Sequence, residues 1–134
     1  MQFLSQDPNL LSLIAESADI CLKPWKHSVV DLNQKKYLEN NTFADDNDLI
    51  LRIECRSLDG DRFSGNDIDL EIYASGSELS LLISWSNDSK SPILWHGKHS
   101  FWMDNETGKR CAVPEKGESL EALARRLRSI FIFD

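Results

Sequence analysis

The stretch Leu94-Trp95-His96-Gly97-Lys98-His99-Ser100-Phe101-Trp102-Met103 gathers two of the three histidines and two of the four tryptophans of a 134-residue chain. Two imidazoles three residues apart could ligate a metal, or one could act as a base beside a thiol such as Cys111. The metal reading is short of donors. A metal site wants three or four ligands at defined spacing, and His96 and His99 supply two. On an extended strand, positions three apart also point to opposite faces. The simpler expectation is a hairpin with its aromatics in the core and its histidines near solvent.

A thiol enzyme would pair a cysteine with a histidine. Cys21 and Cys55 each fall on the apolar side of their element, which predicts inert core residues. Cys111 follows Lys109-Arg110, and neighbouring cations would lower its thiol pKa, so it is the one cysteine placed to react. Three widely spaced cysteines with no CxxC suggest neither a redox motif nor a zinc knuckle. An odd set fits a reducing cytoplasm.

Other chemistries fail on spacing. The run from Asp59 to Glu71 resembles a calcium loop in composition, but glycine at the sixth position would put Gly60 at the first. Gly108-Lys109 lacks the upstream glycine and following hydroxyl of a phosphate-binding loop. There is no Gly-x-Ser-x-Gly elbow. No cofactor and no metal are expected.

Charge is the strongest signal. Residues 39 to 78 hold eleven Asp and Glu against three Arg, a net −8 within a chain of net −7. Charge placement sets partners and association rates rather than fold. A pI near 4.9 argues against a duplex phosphate backbone as a partner, because that demands clustered Lys and Arg. Aromatics beside Lys98, Lys109 and Arg110 could stack single-stranded nucleic acid, a reading the acidity opposes.

The elements that must position these residues follow from apolar periodicity. Asp7-Pro8 followed by Leu10, Leu11, Leu13, Ile14, Ala18 and Cys21 predicts a helix, with Asp7 as its cap and Lys23-Pro24 as its stop. Residues 25–47 are ambiguous: Trp25, Val29, Val30 and Leu32 suit a short strand, and Tyr37 to Phe43 a polar loop. The period then becomes two. Leu49, Leu51, Ile53 and Cys55 form one strand face, and Ile68, Leu70, Ile72 and Ala74 a second. Asp59-Gly60-Asp61 turns the chain between them. Ser75-Gly76-Ser77 leads into Leu79, Leu81, Ile83 and Trp85, a hairpin partner with Trp85 facing the core. Short strands at Ile93 to His96 and Ser100 to Met103 come next, with a turn over 105–108 and a return strand from Arg110. Ser119 caps a final helix in which Leu120, Leu123, Ala124, Leu127, Ile130 and Phe131 recur at helical spacing. Arg125, Arg126 and Arg128 fall on its solvated side.

The fold expected is therefore a single α+β domain over residues 1–134. It has an N-terminal helix, an antiparallel meander of about four to six strands, and a C-terminal helix packed on one sheet face. No apolar run reaches membrane-spanning length, and Met1 to Asp7 lack the basic stretch of a secretory leader, which predicts a cytoplasmic protein.

Two functions are expected from these residues. The first is a non-catalytic protein that engages a basic protein partner through Asp59, Asp61, Asp67, Asp69 and Glu71, with Asp45, Asp46 and Asp48 adding to the field. Inhibitors, immunity proteins and assembly factors have this character. The alternative is a small-ligand binder or enzyme with a pocket of Trp95, His96, His99, Trp102 and Cys111. Oligomeric state is not legible.

Overall fold

A computed structural model describes residues 9–32, 48–75, 78–88 and 90–131. Helix α1 spans Leu10–Cys21 and is followed by strand β1, Lys26–Asp31. A meander then runs through β2 (Asp48–Arg56), β3 (Ile68–Ser75), β4 (Glu78–Trp85), β5 (Ile93–His96), β6 (Ser100–Met103) and β7 (Arg110–Cys111). Helix α2, Gly117–Phe131, closes the fold. The expected cap at Asp7-Pro8, the polar loop over 37–43, and Asp45 and Asp46 lie outside the described residues.

All seven strands lie in sequence order in one sheet, and every neighbouring pair is antiparallel. The α+β architecture is as expected, with more strands than the four to six anticipated. The extra pairing comes from β1, whose adjacent Val29 and Val30 break a clean alternation, and from β7, which has two residues.

Strand register sorts the side chains into two faces. One row crosses the sheet through Leu51, Leu70, Ile83, Leu94 and Trp102 to Cys111. These residues, Cys111 excepted, are buried, together with Ile53, Ile68, Ile72 and Leu81. Both helices cover this face. Ile14 and Ala18 of α1 and Leu120, Leu123, Ala124, Leu127 and Phe131 of α2 join the strand residues in one apolar core. The opposite row runs Ile50, Glu71, Leu82, Trp95, Phe101 and is partly exposed. No described helix packs on it.

Helix α2 starts two residues before the expected cap, which puts Ser119 inside its first turn. The cause is the chain reversal at Lys116, whose φ of 67° is left-handed, followed by the amide of Gly117 donating to Pro114 O at 3.0 Å. Gly117 then lies against the Trp102 indole. A Cβ there would sit 2.8 Å from Val113 Cγ1 and 3.0 Å from Trp102 Cζ2. Gly117→Ala is therefore expected to destabilise the fold by about 1–2 kcal/mol despite alanine's better helix propensity, as read by urea denaturation.

Arg128 also departs from expectation. It leaves the solvated side of α2 and donates from Nη1 to the carbonyls of Leu79, at 2.5 Å, and His96, at 3.2 Å. These bonds tie the helix to β4 and β5. Arg125 and Arg126 remain exposed.

Candidate functional site

The acidic residues meet at the connection between β2 and β3. Ser57 N donates to Asp61 O and Gly60 N to Ser57 O, each at 2.9 Å, which closes a tight turn. Gly60 takes φ +92°, a conformation that a side chain would strain. Phe63 N returns to Cys55 O at 2.9 Å, and a short 3₁₀ turn, Ser64–Asn66, leads into β3.

Asp67 and Arg62 fix this loop from beneath. Asp67 is 4% exposed. Its Oδ1 accepts from the Cys55 amide at 2.8 Å and from Arg62 Nη1 at 2.9 Å, while Oδ2 accepts from Arg62 Nη2 at 2.7 Å. Arg62 Nη1 also donates to Cys55 O at 2.8 Å. A two-pronged, charge-assisted pair whose Oδ1 and Nη1 also bond the Cys55 backbone satisfies the condition under which burying a carboxylate is tolerable. Burial alone would push the Asp67 carboxyl up, but the Arg62 hydrogen bonds and charge and the Cys55 amide outweigh it and hold the carboxyl below its ordinary value.

This corrects one expectation. Asp67 does not face a partner; its charge is consumed inside the protein, and its place is that of a brace. Asp59 and Asp61 are exposed at the loop tip. Beside them stand two apolar side chains, Leu58 at 69% exposure and Phe63 at 46%. Phe63 stacks on Trp25 with ring centroids 4.5 Å apart. The loop thus holds two carboxylates and two apolar groups outward on a fixed frame.

Asp69 and Glu71 lie on the open face of β3. Asp69 Oδ1 accepts from Arg52 Nε at 3.1 Å and from Ser86 Oγ at 2.8 Å. Glu71 sits between Ile50 and Leu82 in the cross-strand register. Asp48 begins β2, opposite Tyr73.

The expected ligand pocket does not assemble. His96 and Trp102 belong to the helix-covered face, Trp95 to the open one, and His99 is exposed in the tight turn between β5 and β6. Trp102 is 4% exposed and donates from Nε1 to Glu121 of α2 at 2.7 Å. Trp95 instead stacks with Phe101, centroids 6.5 Å apart, and the Arg110 guanidinium lies 4.7 Å over the Phe101 ring. That contact draws Arg110 to the open face, away from Cys111, which is exposed on β7. Burial, with Arg128 and Arg125 nearby, pushes the His96 imidazole pKa down. Burial likewise raises the thiol pKa of Cys55, and of Cys21 against the opposing charges of Arg126 and Arg125. Among the described residues no cluster of three or more His, Cys, Asp or Glu could hold a metal ion.

One pair escaped sequence reasoning. His27 Nδ1 lies 2.9 Å from Asp19 Oδ1, with the imidazole side chain 1% exposed. It links α1 to β1. Eight residues and a chain reversal separate the two, so no local pattern announces the contact.

No helix among the described residues is long and apolar enough to cross a membrane. Neither the curated proteins nor the solved structures include a match to this chain. Residues 11–130, which run from α1 to the last turn of α2, match the family described as "Domain of unknown function (DUF8659)", and the chain belongs to that family.

Proposed function

We propose that this domain is a non-catalytic binding protein for a basic protein partner, in the manner of an inhibitor, an immunity protein or an assembly factor. The observation that carries the reading is the braced β2–β3 loop. Arg62 and Asp67 lock a tip that projects Asp59 and Asp61 beside exposed Leu58 and Phe63. A loop already fixed in one shape loses little conformational entropy on binding. Exposed carboxylates around an apolar centre suit a basic surface with an apolar patch, and the net −8 of residues 39–78 would speed encounter with it. The three free cysteines fit a reducing compartment, and we place the protein in the cytoplasm on that ground.

The pocket alternative has no comparable support, because its five residues divide between two faces and a turn. The test is capture from lysate with tagged protein at low and at high salt, read by mass spectrometry. A stoichiometric basic protein held at low salt and released at high salt is the expected result. A partner indifferent to salt, or none at low salt, contradicts the proposal.

A further inference from the structure

The open face of the sheet carries a groove of about 300 Å³. Its walls include the aliphatic side chains of Leu32, Ile50 and Ile93, and its polar lining includes Asp69, Glu71 and Ser84. The cation in the groove, Arg52, is engaged by Asp69 at 3.1 Å. Glu71 has no ion-pair partner among the described residues. A groove with aliphatic walls and a carboxylate that no cation among the described residues engages matches a long basic side chain, whose methylene stem packs on apolar walls while its charged head meets the acid. A second copy of this chain is a poor occupant, since each would bring a net charge of −7 to the contact. Between the two basic side chains, arginine fits a carboxylate better, because its planar fork can make two parallel hydrogen bonds.

We infer that this groove seats an arginine side chain of the partner, with its stem along Leu32 and Ile50 and its guanidinium on Glu71, which lies beside Ile50 in the strand register. The inference rests on the proposed function and adds to it a named anchor, separate from the loop tip at Asp59 and Asp61. It makes the β3 face part of the interface and places the partner across both the loop and the sheet.

The test is a titration of the full chain with acetyl-Gly-Arg-Gly-amide, followed by backbone amide chemical shifts, alongside the same peptide carrying citrulline. Citrulline keeps the shape of arginine and removes its charge. The expected result is a set of shifts at Ile50, Glu71, Ser84 and Ile93 that the citrulline peptide does not produce. Glu71→Gln, nearly isosteric on a half-exposed position, should weaken the arginine peptide about threefold. Shifts confined to residues 58–63, or equal shifts with citrulline, overturn the groove. If the groove amides stay silent while basic-partner capture still requires Asp59 and Asp61, the groove alone fails. If partner capture fails as well, the reading beneath it falls too.

Discussion

Trp102→Ala is expected to lower the stability of the domain by about 4 kcal/mol, and Trp102→Phe by about 2 kcal/mol, from the lost indole hydrogen bond and the space left by the smaller ring. The indole is almost wholly buried, fills the space above Gly117 at the start of α2, and donates to Glu121 at 2.7 Å. Removing it empties the junction between β6 and α2 and strips the partner from a half-buried carboxylate. Urea denaturation followed by far-ultraviolet circular dichroism measures both changes. A Trp102→Ala chain as stable as the parent would mean that the indole packs against nothing, contrary to the fold described above. The contrast with Trp95, on the open face, is part of the prediction. Trp95→Ala should cost markedly less, since the side chain is only partly buried.

Asp67→Ala is expected to cost about 2 kcal/mol at neutral pH and to loosen the β2–β3 loop. The carboxylate accepts three hydrogen bonds, two of them from Arg62. Its loss leaves the Cys55 amide without that acceptor and Arg62 with only the Cys55 carbonyl and the outlying Glu54, whose Oε2 lies 3.7 Å from Nη2. The Arg62 side chain keeps 35% of its exposure and can turn to water, which sets the figure below that of a fully buried pair. The pH dependence has a definite sign. A carboxyl held below its ordinary value of 3.8 in the folded protein adds stability that is fully present above that value. That stability is lost as pH falls through the depressed folded-state pKa. The parent should therefore lose stability on acidification below about pH 4, and Asp67→Asn should lose less over the same range because its share is already gone. Parallel denaturation curves at neutral and acid pH decide the matter: identical slopes with pH in parent and variant would refute the brace. Amide exchange at Cys55 should accelerate in the variant, since Asp67 is the acceptor of that N–H.

The meander and the two helices were legible because they rest on repetition. The alternation over 49–55, 68–74 and 79–85 and the helical spacing from Leu120 to Phe131 each span enough residues to fix a face. Short strands do not. Alternation over Ile93 to His96 separates Trp95 from His96 but leaves open which of them is inside; the register with Leu81 and Leu82 decides that, and it is a tertiary fact. Asp67 misled for a related reason. Its parity matches Asp69 on the open face, yet it stands just before β3 begins at Ile68, where the chain leaves the pleat and the carboxylate turns in to Cys55 N. Arg62, the single cation among the acids of that loop, was the available clue. Arg128 lies one helical turn after the buried Ala124, so the flank of the apolar stripe could have placed it near the sheet.

The central claim is that the exposed carboxylates of a braced loop recruit a basic protein. The measurement that tests it most directly is parallel low-salt capture with the parent chain and with a variant carrying both Asp59→Lys and Asp61→Lys. Circular dichroism and thermal melting establish that the variant is folded, which the exposure of both positions leads us to expect. The account predicts a basic protein captured by the parent and absent from the variant. Equal capture by both chains would contradict it.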